Sequence, residues 1–204
     1  MAPAEPVPPA EPASRPRLPH RARALVVGVV AAGVLALVLF GFVGVGSNTT
    51  TTPGVGVGSV APDFTLPSVL AGPPVHLDGL GADRRVPVVL NFFASWCGPC
   101  QQETPLLART AKLAAADHAK VQFVGVDVND PTDGASFVRS SGIAYPVGAD
   151  TTLRVTSALY ALNNQPNTFF IDASGHVIGH VIGALTPSTL TMWLHRLSVP
   201  VQAA

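Results

Sequence analysis

The chain reads as an α/β protein, a mixed central sheet with helices on both faces, preceded by one transmembrane helix. Three observations lead there. Two nearly continuous apolar runs, "VPVVLNFFA" and "QFVGVDV", flank a stretch of helical spacing. A later pair of apolar runs surrounds the short turn Ala173-Ser174-Gly175, and an uncharged apolar run occupies residues 24–46. Buried strands read as continuous apolar runs, hairpins as paired runs around a turn, and membrane spans as long uncharged runs.

Residues 1–23 are rich in Pro, Ala and Glu, bury too little apolar surface to fold, and are expected to form a disordered cytoplasmic tail. At about 1.5 Å per residue, 24–46 crosses a hydrocarbon core of roughly 30 Å. Arg15, Arg17, Arg21 and Arg23 precede it, and the next basic residue after it is Arg84. This asymmetry predicts a single pass with the N-terminus in the cytoplasm and the rest extracytoplasmic. A cleaved signal peptide is the rival reading, but its apolar core should be shorter and be followed by an Ala-x-Ala-like site, which "FGFVGVGSNTT" lacks. Residues 47–59, small, polar and glycine-rich, are expected to be a flexible linker.

The globular domain is expected over 60–198, with 199–204 as a C-terminal tail. The run at 86–94 predicts a central strand buried on both faces, and 122–128 predicts a second strand. Between them, 99–120 places Leu106, Leu107 and Leu113 at helical spacing, so strand, helix and strand form a right-handed crossover with a parallel pair. "GASFVRSS" and "TLRVTSALYAL" are further helix-like pieces on either side of "AYPVGAD". "NTFFIDASGHVIGHVIG" predicts an antiparallel hairpin whose "GHVIGHVIG" is one strand rather than a repeat. "TPSTLTMWLHRLS" closes the domain as an amphipathic helix with Thr186 or Ser188 as its N-cap.

The 204 residues are 48% hydrophobic and 12% charged, with a formal net charge of zero. Without the first 58 residues, eight of the twelve basic and ten of the twelve acidic side chains remain. A mildly acidic exported part argues against nucleic acid, which calls for a basic face.

The only cysteines are Cys97 and Cys100, in "NFFASWCGPCQQETP". As a staple they would close a very short loop and restrain little chain entropy. As half of a zinc site they lack two further ligands, since His76, His118, His176, His180 and His195 have no ligand spacing. The redox reading has an argument at each position. Where the strand ends near Ala94 and a helix starts near Cys97, free backbone N–H groups and the helix dipole favour a thiolate. Cys97 is then the attacking sulfur, and Cys100, one turn further in, the shielded one that resolves the mixed disulfide. Pro99 is tolerated in a first helical turn, and Gly98 leaves room for a partner chain. Trp96 is read as a surface aromatic beside the site, with core packing as its alternative.

"APDFTL", "VLNFFASWCGPCQQETP", "VGVDVND" and "YALNNQPNTFFIDASGHV" occur in the order seen in TlpA-like and ResA-like membrane-anchored thioredoxins, which the chain resembles over roughly 60–198. The resemblance implies a thioredoxin-like fold with Cys97 and Cys100 as the redox disulfide. It further implies that Glu103, one turn after Cys100, moves the proton Cys100 must lose; a solvated helix glutamate is the bland alternative. Pro166 matches the family's cis-proline opposite the active site, which would leave the backbone of Gln165 free to pair with a substrate segment. Pro105 matches the proline that kinks the active-site helix. Asn91 stands where cytoplasmic thioredoxins carry a buried aspartate, so proton handling falls to Glu103. Asn164 stands where relatives often have glycine, and asparagine tolerates a left-handed backbone. Peroxiredoxins share the opening motif, but Ala94 occupies the place of their threonine.

The function implied is a membrane-tethered extracytoplasmic thiol-disulfide oxidoreductase, needing no cofactor or metal. Its partners would be protein thiols, apocytochrome c haem-attachment cysteines first, with electrons from a membrane thiol carrier. The alternatives are a disulfide oxidase or isomerase for secreted proteins, and a tethered binding or chaperone module without turnover.

Overall fold

The computed structural model describes residues 54–77 and 86–200. The expected tail 1–23, the expected span 24–46, the first part of the linker and 201–204 lie outside them. No helix among the described residues is long and apolar enough to cross a membrane.

Two very short strands come first, β1 (Thr65–Leu66) and β2 (Val75–His76), paired antiparallel. Then follow β3 (Val88–Phe93), α1 (Gly98–Ala116), β4 (Gln122–Val128), α2 (Gly134–Ser140), β5 (Val147–Asp150), a π-helical turn (Arg154–Leu159), β6 (Asn167–Ile171), β7 (Val177–Ile182) and α3 (Pro187–Arg196). The five long strands form one sheet in the order β5-β4-β3-β6-β7. Pairs β3–β4 and β4–β5 are parallel, whereas β3–β6 and β6–β7 are antiparallel. The sheet is mixed, as the apolar runs and the hairpin turn require.

Side chains alternate across a strand, so β3 serves two cores. Val88, Leu90 and Phe92 pack with Val124, Val126, Val155 and Tyr160 on one face. Tyr160 anchors that face: its ring centroid lies 4.9 Å from Phe92 and 5.2 Å from Phe169, and its hydroxyl donates to the Pro62 carbonyl at 2.9 Å. On the other face Val89 and Phe170 meet Leu106 and Leu107 of α1 and Leu190 and Leu194 of α3. Burying each such side chain contributes roughly 1.5–3 kcal/mol. The odd positions of β3 therefore face α1, and that parity turns Asn91 toward the active-site helix.

Several boundaries differ from the sequence expectation. Residues 54–59 belong to the domain rather than to a free linker, since Val55 is part of the core and Gly58 N–H donates to Val177 O at 2.8 Å. At the other end Val199 is also buried, so the domain passes residue 198. Helix α1 stops at Ala116 rather than near 120, because Asp117 caps it with an N–H to Leu113 O and His118 turns left-handed at φ 52. Leu113 is exposed, and Ala114 fills the buried position of that turn. The expected helix around 152–162 is only the π-helical turn, held by the Asp150 carboxylate, which accepts from Thr156 N–H and Oγ1 at 2.7 Å each. Thr186 is the N-cap of α3 and accepts from Thr189 N–H at 3.2 Å.

Candidate active site

Strand β3 delivers the chain to Ala94, and Cys97 becomes the N-cap of α1 with extended backbone, φ −88 and ψ 108. Its Sγ accepts from Cys100 N–H at 3.2 Å, one of the backbone donors that a helix start leaves without an internal partner. Cys97 and Cys100 are joined in a disulfide. Cys97 is 6% exposed and Cys100 not at all, so the first cysteine is the less shielded of the two. Gly98 and Pro99 between them are exposed, Pro99 sits in the first helical turn, and Trp96 is 61% exposed, which settles its two readings in favour of the surface. The helix continues through Pro105, which has no N–H to donate; one residue earlier Thr104 Oγ1 donates to Cys100 O at 2.7 Å.

Glu103 lies one turn beyond Cys100 on the buried side of α1 and is 1% exposed. Two donors reach its carboxylate: Asn91 Nδ2 to Oε1 at 2.8 Å and Leu185 N–H to Oε2 at 2.7 Å. Burial pushes the carboxyl up to about 7, while the Leu185 and Asn91 hydrogen bonds pull it back down. Such a group is part acid and part base near neutral pH, which is the condition for moving a proton to and from a neighbouring thiol. Asn91 Nδ2 also donates to Thr168 Oγ1 at 3.0 Å, directly across the β3–β6 ladder, and Asn91 Oδ1 is buried without a partner. The bland reading of Glu103 as a solvated helix residue does not fit this position.

The antiparallel pairing of β3 with β6 brings Asn167 opposite Phe92, so the start of β6 lies at the strand end from which the Cys97 turn departs. The peptide bond between Gln165 and Pro166 is cis. Pro166 O accepts from Gly183 N–H at 2.9 Å, while the Gln165 backbone makes no hydrogen bond among the described residues. Asn164 is not left-handed; Ala161, at φ 54, is the residue of this loop with positive φ.

Sequence reasoning passed over the acids that end β4. Asp130 Oδ2 accepts from Ser95 N–H at 2.7 Å and steadies the turn that carries Cys97, which in turn receives Gln101 Nε2 on Ser95 O at 2.6 Å. Asp127 is buried against Gly134, and burial, then the Asp130 charge, push its carboxyl up to about 7. The signal available in the sequence was an acid on the α1-facing parity of a buried strand, in "VGVDVND".

A family model described as the AhpC/TSA family matches residues 57–180. Thiol-disulfide oxidoreductase ResA of Bacillus subtilis is 33% identical over 144 residues, 69% of this chain and 75% of that protein. Thiol:disulfide interchange protein HelX of Rhodobacter capsulatus is 30% identical over 141 residues, 62% of this chain and 76% of that protein. Among solved structures, a secreted Mycobacterium tuberculosis disulfide oxidoreductase described as homologous to Escherichia coli DsbE is 29% identical, with TM-score 0.54 over 66% of this chain and 96% of that one. The sheet order, the disulfide at a helix start and these likenesses agree with one another. They make the chain a member of the AhpC/TSA family within the thioredoxin fold, and a thiol-disulfide oxidoreductase of the ResA and DsbE kind.

Proposed function

We propose that the protein is tethered to the membrane through residues 24–46 and reduces disulfides outside the cytoplasm, with the haem-attachment cysteines of apocytochrome c as clients. The observation that supports a thiol-disulfide cycle is the buried Glu103 carboxyl, one turn from the buried Cys100 and pushed up to about 7 by burial. In the reduced enzyme the Cys97 thiolate attacks one sulfur of the client disulfide. The client's first thiolate leaves and takes a proton. Cys100 gives its proton to the Glu103 carboxylate and attacks Cys97 Sγ, forming the Cys97–Cys100 disulfide and releasing the second client thiolate. Two electrons pass from the enzyme dithiol to the client, and a membrane thiol carrier restores the dithiol while Glu103 returns its proton to Cys100.

The Gln165 backbone, without an internal partner, is proposed as the ladder on which an extended client segment pairs beside Pro166, with exposed Trp96 at the rim. The arginine asymmetry around 24–46 supports the orientation. An active C-terminal alkaline phosphatase fusion tests it, and an inactive one reverses it.

The reduction potential of the protein tests the direction. A value near −270 mV, about that of thioredoxin, makes it a reductant, and one near about −120 mV makes it a disulfide donor. In cells, loss of a reductant depletes covalent haem from c-type cytochromes, and added external thiol restores it. Intact haem attachment with under-oxidised secreted proteins would overturn the proposal.

A further inference from the structure

The face of β6 opposite Glu103 carries a second polar chain that the redox chemistry leaves unused. Asn167, the first residue of β6 and the neighbour of Pro166, is fully buried. Its Nδ2 donates to the Asn164 backbone carbonyl at 2.6 Å and lies 3.3 Å from Asn164 Oδ1. The amide nitrogen is thereby committed to the loop, and Oδ1 is left to accept. It faces His180 Nε2 at 2.8 Å, so the imidazole carries its proton on Nε2. His180 stands opposite Phe169 in the β6–β7 ladder and lies flat on its ring, with centroids 4.0 Å apart and planes 10° from parallel. Burial lowers the pKa of this ring and favours its neutral form.

The loop before β6 is therefore held at two points. Gly183 N–H holds the Pro166 carbonyl, and Asn167 holds the Asn164 carbonyl. Gln165 lies between these points with its own backbone unpaired. We infer that His180 is a positioning residue for client binding: through Asn167 it fixes the Asn164 carbonyl and so holds the bend at Asn164 and Gln165 that leaves the Gln165 backbone open to a client strand. The inference rests on the reading that this loop receives the client. His180 touches neither sulfur, and its effect belongs to affinity rather than to the chemical step.

The test uses the full-length protein and, as probe, an oxidised peptide containing Cys-Ala-Ala-Cys-His, the pattern of c-type haem attachment. His180→Leu removes the N–H and leaves Asn167 Oδ1 buried without a donor, so the amide is free to turn. The expected result is a KM for the peptide raised about tenfold, the order of effect of one buried unpaired acceptor, with kcat within about twofold. Reduction of a small aromatic disulfide, which needs no backbone pairing, stays at the wild-type rate. Asn167→Thr, which removes the amide without touching the ring, should raise KM likewise, and His180→Gln, which keeps an N–H, should recover part of the affinity. An unchanged peptide KM in His180→Leu overturns the inference, as does an equal loss toward peptide and small disulfide. Gln165→Pro, which deletes the Gln165 N–H, separates the two levels. If it raises KM while His180→Leu does not, only the role of His180 falls. If it too leaves KM unchanged, the client-loop reading falls with it.

Discussion

Asn91 Nδ2 and Glu103 Oε1 meet at 2.8 Å between the central strand β3 and the active-site helix α1. The contact joins a residue whose orientation is set by strand parity to one whose orientation is set by helical spacing, and it holds a buried carboxyl one helical turn from the buried Cys100. Two consequences concern protons.

Glu103 should make the disulfide form of the protein less stable as pH rises. A carboxyl raised from 4.5 to about 7 binds more protons in the folded than in the unfolded state between those values. Stability is therefore highest below about 4.5 on this account, falls through the interval and levels off above about 7, by roughly 3 kcal/mol for this buried group. Urea unfolding of wild type and Glu103→Gln between pH 4.5 and 8 measures it, and the variant should lose that slope. Asn91→Ala removes a donor to the carboxylate, so the Glu103 midpoint should move further upward, readable by carboxyl carbon chemical shift.

Resolution of the mixed disulfide should depend on the same carboxyl. Oxidation of the enzyme dithiol requires Glu103 as the carboxylate, so the wild-type rate should rise with pH through about 7. Glu103→Gln should lose that inflection and slow the step by about 10²-fold, the lower range for a positioned base. Stopped-flow release of the second client thiol reports it. Alkylation of Cys97 should change little.

Exposure and the helix start divide the sulfurs. Cys97, accepting the Cys100 N–H, should titrate below the roughly 8.5 of a free thiol and be alkylated first by iodoacetamide in the reduced protein. Cys100→Ser should accumulate mixed disulfides identifiable by mass spectrometry, whereas Cys97→Ser should accumulate none.

A test of the packing lies far from the sulfurs. A Cβ on Gly179 of β7 would stand against the Trp193 ring, which is itself stacked on Phe170 at 5.1 Å. Gly179→Ala should destabilise the domain by about 1–3 kcal/mol through overpacking, measured by urea unfolding, with the alkylation rate of Cys97 unchanged.

What the sequence determined by itself is what short-range pattern encodes. The apolar runs of β3 and β4, the Ala173-Ser174-Gly175 turn and the Cys-Gly-Pro-Cys spacing each act within a few residues, so strand, hairpin and helix start were legible. The resemblance then pointed to Glu103 and to the cis-proline position. What only the tertiary structure decided depends on contacts across long sequence distances. Leu185 lies far along the chain from Glu103, yet its N–H shares the carboxylate with Asn91, and burial by both sheet and helix lifts the pKa. The Ser95 turn rests on Asp130, and the Asn164 carbonyl on Asn167 and His180, through contacts that no periodicity carries. The domain edges belong to the same class: Val55 and Val199 look like linker and tail in composition, but the cores they enter are assembled from residues far apart in the sequence. Desolvation and hydrogen-bond partnership are properties of the assembled neighbourhood, and a linear sequence specifies them only through the fold.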